Sequence, residues 1–293
     1  MVDISKSSAI NSTLQTIQKV TTLAGKAQEN LATGRKVNKV TDDAFAFFVA
    51  KSLTDSASDL TSRKDGVDQG ISSIRTAQAG LETVEKFTNQ LKGLAEAAKS
   101  ASPAEQQALS RQFEELGKQI SNVVQDTSYQ GQNLLTGNNK LDVSFSTNEN
   151  STLEVSGLDL DSTAFNAETS LFSANAFSSS GSFSLEAFGI AGGDFNNASQ
   201  DDINNVIRQL DAGVSRVRGQ ASSLGNNVAI LQERLDFTEE QVNIQQSGAD
   251  KLTLADLNEE AANLVATQAR QQIGINSLSI AGNQQSAILG LLS

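Results

Sequence analysis

The 293-residue sequence contains no histidine, no cysteine and no tryptophan, and it has one proline, one methionine and one tyrosine. Without His and Cys the chain has no thiol nucleophile, no disulfide framework and no Cys/His metal site. The same absence excludes a Ser-His-Asp triad and a Glu-x-x-His di-iron centre. Because proline is the residue that most often breaks helices, its scarcity favours long uninterrupted helices.

The carboxylates do not form a pattern typical of catalysis. Pairs such as Glu114/Glu115 and Glu239/Glu240 fall within helical patterns, which favours solvated helix faces over a general acid–base pair held in a cleft. Asp159 and Asp161 are not part of a twelve-residue calcium loop with a terminal Glu. We therefore predict that the chain is not an enzyme and has no catalytic residue, cofactor or metal site.

The formal charge of −12 is concentrated in one part of the chain. Between Leu141 and Ile207 there are ten acidic residues and no Lys or Arg, so the remainder holds 24 acidic and 22 basic residues. Phosphate binding requires basic surface, so we expect no nucleic-acid partner. Two kinds of sequence therefore share one chain, with an acidic middle between flanks that are close to neutral.

The flanks carry helical patterns with recognisable start signals. A long helix is predicted from near Thr41, as its N-cap, to about Ala98. Ser102-Pro103-Ala104-Glu105 is a capping box with Pro at the first helical position, and Ser199 with Asp202 is a second, Asp-type cap. Gly248 is expected to interrupt the helix that follows, with a final helix starting near Thr253.

Apolar residues alternate in steps of three and four along the two longest helical segments, which is typical of a coiled-coil seam. The candidates for an intrachain coiled-coil seam are Val67, Ile71, Ile74, Leu210, Val214, Val217, Leu224, Val228 and Leu231. This pattern agrees with two arrangements. In one, the helical bundle is closed within the monomer; in the other, the apolar stripes of the terminal helices are buried against other copies of the chain.

The middle of the chain, from about residue 138 to residue 197, loses the helical period. Leu141, Val143 and Phe145 alternate with polar residues, as do Leu153 and Val155, which predicts a small β-hairpin. Phe183 and Leu185 suggest another short strand. Because the segment is acidic and Ser-rich, we expect it to lie at the surface rather than in a core.

The tail after Arg270 has no charged residue, but its many Gln, Asn and Ser residues argue against a membrane span, and no membrane insertion is expected. The N-terminus has no cationic region followed by an apolar run, so we expect no cleavable signal peptide. Phe45, Phe47 and Phe48 are interpreted as packing residues at a junction between two domains.

Three segments, in order, resemble signatures of the bacterial flagellins. The first is residues 29–38 followed by Thr41-Asp42-Asp43-Ala44, in which a Thr-Gly turn precedes paired Asp residues. The second is residues 126–135, which contain the only Tyr, and the third is residues 255–260 continued by 268–292. Together the resemblance covers about residues 1–137 and 200–293.

The resemblance implies a mainly α fold in which long coiled-coil helices from both chain ends form an inner and an outer core domain. A small solvent-facing insertion with a β-hairpin joins the two helical halves. The implied segments are an N-terminal inner-core helix at 1–41, outer-core N-terminal helices at 42–140, a variable surface region at 141–199, an outer-core C-terminal helix at 200–250 and a C-terminal inner-core helix at 251–293.

The implied function is that of a structural subunit that polymerises into the flagellar filament, the propeller for swimming. The alternative is a hook–filament junction protein, which shares flagellin-like ends; an adhesin or other binding module rests only on the acidic middle segment. The implied partners are other copies of the chain, other flagellins, an export chaperone, and cap and junction proteins. The implied location is the extracellular filament, reached by export without a cleaved signal peptide.

The resemblance also indicates which apolar residues contact neighbouring subunits. These are stripe residues near the two chain ends, where little can be buried within one chain. The candidates are Ile10, Leu14, Ile17, Leu31, Leu264, Ile275, Leu278 and Leu289.

Overall fold

The computed structural model describes residues 8–137, 139–146, 150–160 and 185–291, with side chains at all of these except 8–10, 187 and 285–291. Five helices dominate: α1 (Ser8–Thr33), α2 (Ala44–Ala98), α3 (Pro103–Asp126), α4 (Gln200–Thr253) and α5 (Leu257–Leu291). Strands β1 (Lys140–Ser144) and β2 (Thr152–Ser156) form one antiparallel hairpin. The predicted fold class, mainly α with a small β-hairpin between two helical halves, is confirmed.

Side-chain caps fix where the helices begin. The backbone N and the Oγ of Ser102 each donate to Glu105 Oε2 at 2.8 Å, and those of Ser199 donate to Asp202 Oδ2 at 2.9 and 2.7 Å. These bonds confirm both predicted caps. The prediction of Thr41 as a cap is wrong, because α2 begins at Ala44 and the N–H of Ala46 donates to Asp43 Oδ1 at 2.9 Å.

The chain divides into two compact units, Met1–Ala57 with Asn243–Ser293 (unit 1) and Ser58–Val242 (unit 2). Within unit 2, α2 and α4 face each other along a continuous apolar seam. All nine residues of the predicted intrachain seam are buried in the structure. All of them except Val214 belong to one core cluster, which α3 completes with residues such as Phe113 and Ile120.

Ion pairs along the edges of this seam show its register. Lys64 contacts Glu239 at 2.9 Å, Glu85 contacts Arg218 at 2.7 Å, and Lys92 contacts Asp211 at 2.7 Å. From the first pair to the second, α2 advances by 21 residues and α4 goes back by 21 residues. From the second pair to the third, α2 advances by seven residues and α4 goes back by seven. The helices are therefore antiparallel, and the pairs recur at whole heptads, as a coiled coil requires.

The middle segment contributes side chains to the core of unit 2, so the expectation that it lies wholly at the surface is wrong. Val143 of β1 packs so closely on α2 that a Cβ added to Gly70 would lie 2.7 Å from Val143 Cγ2. Leu185 begins a 3-10 turn (Leu185–Phe188) instead of the expected strand, and Phe183 lies outside the described residues.

Aromatic packing explains why a polar segment is held against a helix. The rings of Phe188 and Phe195 each make edge-to-face contacts with Phe113 of α3, with centroids 5.7 and 5.5 Å apart. Ser110 Oγ adds a hydrogen bond from the N–H of Phe195 at 2.9 Å. A few large apolar residues thus hold the segment against the core. Its other residues are mostly acidic or serine, which is why the sequence predicted a surface position for the whole segment.

Two further expectations in unit 1 are wrong. α4 continues through Gly248, where an added Cβ would lie 3.3 Å from Leu53 Cδ1, so this glycine permits close helix packing instead of ending the helix. The final helix accordingly begins at Leu257. Phe45 and Phe48 are 77% and 61% exposed, so they do not pack at a junction in the single chain, whereas Phe47 is half-buried against Phe48.

Candidate functional site

The candidate site is the antiparallel helix pair α1–α5 in unit 1, named here the terminal pair. Its shared seam uses mostly small or polar residues, with a heptad period on both helices. On α1 the covered positions are Thr13, Ile17, Val20, Ala24, Ala27 and Leu31; on α5 they are Glu260, Leu264, Thr267, Gln271, Gly274, Leu278 and Ala281.

Side-chain contacts across this seam set its register. Asn30 Nδ2 donates to Glu260 Oε1 at 2.8 Å, and Gln271 Nε2 donates to Thr21 Oγ1 at 3.3 Å. Further along, a Cβ added to Gly274 would lie 2.8 Å from Ile17 Cγ1. The two helices therefore approach closely at Gly274, and a side chain there requires them to separate.

The turn after α1 is hydrogen-bonded to the turn between α4 and α5. Gly34 has a positive φ of 70°, which suits glycine at a helix C-terminus. Its carbonyl accepts from the N–H of Ala255 at 3.0 Å, and Thr253 O accepts from the N–H of Lys36 at 2.8 Å. We call this pair of linked turns the clasp. It joins the first and third flagellin-like segments of the sequence.

Charged groups stabilise the clasp from one side. Asp42 Oδ2 accepts from the backbone N–H groups of Asn38 and Lys39 at 3.1 and 3.0 Å, and these bonds hold the pKa of Asp42 below its ordinary value. Lys39 Nζ donates to Glu29 Oε1 at 2.8 Å, which raises the pKa of Lys39. Lys39 is exposed and Asp42 is half-buried at the surface, so the arrangement orders a surface turn and has no feature of acid–base catalysis.

The outer faces of unit 1 carry most of the exposed large apolar residues. Among the described residues fourteen such side chains are exposed, and twelve of them lie in unit 1. They are Leu14, Leu23, Val40, Phe45, Phe48, Ile244, Leu254, Leu257, Val265, Ile273, Ile275 and Ile280. Concentrated apolar surface of this kind marks an interaction site.

Helix α5 is apolar in several directions at once. With Gly274 facing α1, Ile273 and Ile275 point to opposite flanks because successive residues turn by about 100°. Val265 lies on the far side from the seam and is 67% exposed. No charged residue occurs from 271 to 291 or from 8 to 18. Polar Gln, Asn and Ser residues lie between these apolar side chains, and α1 covers only one side of α5, so Val265 and Ile273 remain exposed in the single chain.

The predicted interface residues fall into two groups in this geometry. Ile17, Leu31, Leu264 and Leu278 are half-buried and line the seam between α1 and α5. Leu14 and Ile275 are exposed on the outside of the pair. The side chains of Ile10 and Leu289 lie outside the described residues.

The prediction followed only the main apolar stripe, so it missed exposed residues off that stripe, such as Leu23, Val265, Ile273 and Ile280. Large apolar residues at several angles within an uncharged segment were the available signal.

A shallow groove of about 350 Å³ runs along the terminal pair, lined by residues including Thr16, Ile17, Ile273 and Gly274. In the described part of the chain, no cluster of three acidic side chains is placed to hold a metal ion. None of the described helices is long and apolar enough to cross a membrane.

Sequence comparisons with known proteins cover the three flagellin-like segments. Residues 4–140 match the model of the bacterial flagellin N-terminal helical region. Flagellin FljO of Caulobacter vibrioides is 26% identical over 95% of this chain and 94% of its own length. Flagellin C of Rhizobium meliloti is 24% identical over 99% of each chain. The crystal structure of Bacillus cereus flagellin aligns with 59% of this chain and 88% of its own, at 13% identity and a TM-score of 0.44.

Proposed function

Since this chain belongs to the bacterial flagellin family, we propose that it is a structural subunit that polymerises into the flagellar filament. The polymer would transmit motor torque to the surrounding fluid, so the work of the protein is mechanical. The filament lies outside the cell, and the subunit reaches it by flagellar export without a cleaved signal. An export chaperone, and cap and junction proteins, are its further partners.

The exposed apolar surface of the terminal pair carries this proposal. Burying Val265, Ile273 and Ile280 against neighbouring copies removes from water side chains that are each at least 60% exposed in the single chain. Apolar burial contributes about 25 cal/mol per Å², so several such side chains per subunit provide a substantial driving force. Ile273 and Ile280 lie on one flank of α5 and the exposed Ile275 lies on the opposite flank, so one subunit presents apolar surface to more than one neighbour, as an open helical polymer needs.

The near-neutral flanks and the acidic middle suit such a polymer. Helices with few net charges pack in large numbers without strong mutual repulsion. We propose that the terminal pair forms the inner part of the filament and that the acidic middle segment faces solvent.

Electron microscopy of the purified chain tests the function. Monomers seeded with filament fragments should extend into long filaments. Short or absent polymers under the same conditions would contradict a filament subunit and favour a junction protein. The double variant Leu14→Ser/Ile275→Ser should remain helical by circular dichroism and should assemble only at higher concentration.

A further inference from the structure

Unit 2 contains an apolar groove that the proposed terminal-pair contacts do not use. It lies between α2 and α3 and has a volume of about 710 Å³. The half-buried side chains of Leu94 and Leu116 form its apolar lining, and Gly93 leaves the α2 wall open. Gln90, Arg111, Gln112, Glu115 and Gln119 surround that lining.

The same unit presents an apolar ridge on α4. Ile230 and Phe237 are 46% and 53% exposed, and they are the exposed large apolar side chains of unit 2 within the described residues. They are seven residues apart, which is two helical turns, so they share one face about 10.5 Å apart. The neighbouring Leu231 is fully buried in the seam with α2, so the ridge points away from the chain's own core.

The charges beside the two surfaces are complementary and have the same spacing. On α3, Arg111 lines the groove, and Lys118, seven residues further on, lies beside it, 3.8 Å from the groove residue Glu115. Both cations are exposed. On α4, Glu233 and Glu240 are seven residues apart beside the ridge, and both are exposed. Two cations and two carboxylates, each pair about 10.5 Å apart, can therefore meet when the ridge lies in the groove.

We propose that the Ile230–Phe237 ridge of one copy docks into the α2–α3 groove of a second copy, with Glu233 and Glu240 facing Arg111 and Lys118. The inference rests on the proposed self-assembly and adds a second, separate contact to it. Ridge and groove are different surfaces of the same chain, so the contact is heterologous: each copy uses its ridge on one neighbour and its groove on another. Such a contact extends an open polymer when the rotation that it imposes does not close into a ring.

Charge reversal tests this contact. The groove variant Arg111→Glu/Lys118→Glu places acidic residues opposite the acidic ridge, and the ridge variant Glu233→Lys/Glu240→Lys places basic residues opposite the basic groove. Each variant alone should raise the critical concentration for assembly about tenfold, since two attractive exposed pairs become repulsive.

An equimolar mixture should recover assembly, because each contact between one copy of each variant is attractive: an acidic groove meets a basic ridge, or an unsubstituted basic groove meets an unsubstituted acidic ridge. The matched control is Asp201→Lys, which reverses an exposed charge on the same helix 29 residues before Ile230, and it should assemble normally. Circular dichroism checks that every variant is folded.

Site-specific cross-linking supplies a second readout, because the chain has no native cysteine. When Gln112→Cys and Ile230→Cys copies are assembled together and oxidised, a disulfide dimer containing one copy of each should form. Either variant assembled alone should give little dimer.

The inference is overturned if both charge-reversed variants have the same critical concentration for assembly as the unsubstituted chain. It is also overturned if mixing the two variants does not lower the critical concentration and no mixed disulfide forms. If the unsubstituted chain does not polymerise at all, the proposed function itself fails and the inference fails with it. The two failures are thus distinguishable by the behaviour of the unsubstituted chain.

Discussion

Asn30 Nδ2 of α1 donates a hydrogen bond to Glu260 Oε1 of α5 at 2.8 Å, although the two residues are 230 positions apart in the sequence. Asn30 is only 5% exposed, so this polar pair is a buried contact near one end of the seam between α1 and α5. A polar residue at such a position fixes the register of a coiled coil, because any shift leaves a buried polar group without its partner. We infer that this pair and the adjacent clasp set how α1 and α5 align, and therefore which apolar side chains face outward.

Close packing at Gly274 leads to a first prediction. Gly274→Ala places a Cβ about 2.8 Å from Ile17 Cγ1, so it should destabilise the terminal pair by about 1–3 kcal/mol through overpacking. Gly282→Ala is the matched control on the same helix, since none of the described side chains lies within 4 Å of an added Cβ there, and alanine favours helix. Thermal unfolding followed by circular dichroism measures both. Equal stability of the two variants would contradict the close approach.

The core of unit 2 gives a second prediction. Ile74→Ala removes a fully buried side chain from the α2–α4 seam and should lower the free energy of unfolding by about 2–5 kcal/mol. Ile230→Ala, on the exposed face of α4, should change it by less than about 0.5 kcal/mol. Urea denaturation of the monomer compares the two. A small effect at Ile74 would show that the seam is not closed within one chain.

Gly34 provides a third prediction, on the clasp. Its φ of 70° is unfavourable for a residue with a side chain, and no neighbouring atom lies within 4 Å of an added Cβ. Gly34→Ala should therefore destabilise unit 1 by about 1–2 kcal/mol through backbone strain alone. Gly25→Ala, in the middle of α1 with equal space and ordinary φ, should be neutral or stabilising in the same melts. If Gly25→Ala lowered the Tm more than Gly34→Ala, the left-handed conformation of Gly34 would be excluded.

The lowered pKa of Asp42 gives a fourth prediction, on pH. Its carboxylate accepts two backbone N–H bonds only in the folded chain, so the folded pKa lies below the unfolded one. This stabilisation is complete above the ordinary pKa, about 4, and is lost as pH falls through the lowered folded value. The difference in Tm between the unsubstituted chain and Asp42→Asn should shrink as pH decreases from 5 to 2. A pH-independent difference would contradict the assignment.

The sequence predicts the elements whose cause is local. Two helix starts are predictable because the capping partners lie only three residues apart, in Ser102-Pro103-Ala104-Glu105 and in the Ser199–Asp202 pair. The α2–α4 seam is visible because its apolar residues keep one period over many turns. The hairpin is visible from two-residue alternation in Leu141, Val143 and Phe145.

Features that depend on tertiary packing could not be predicted from the sequence. Gly248 looks like a helix breaker, yet Leu53 of α2 packs against it and the helix continues. Leu185, Phe188 and Phe195 are buried although their segment is acidic and serine-rich. Both phenylalanines pack on the ring of Phe113 of α3, a contact that local sequence does not reveal.

The candidate site was predictable only in part, for a related reason. One apolar stripe on each terminal helix suggested contact residues. The pairing of α1 with α5 covers Ile17, Leu31, Leu264 and Leu278 on that stripe, however, and leaves others outside. Which residues remain exposed depends on the register of the two helices, and no periodicity within a single helix contains that information.

Protection of α5 during assembly tests the account most directly. The variant Ile273→Cys carries a single thiol, because the chain has no other cysteine, at a position 64% exposed in the single chain. The thiol should react rapidly with a maleimide reagent in monomers and become strongly protected in polymers of the same variant. Equal labelling of monomers and polymers would show that the outer face of α5 stays in water and would contradict assembly through the terminal pair.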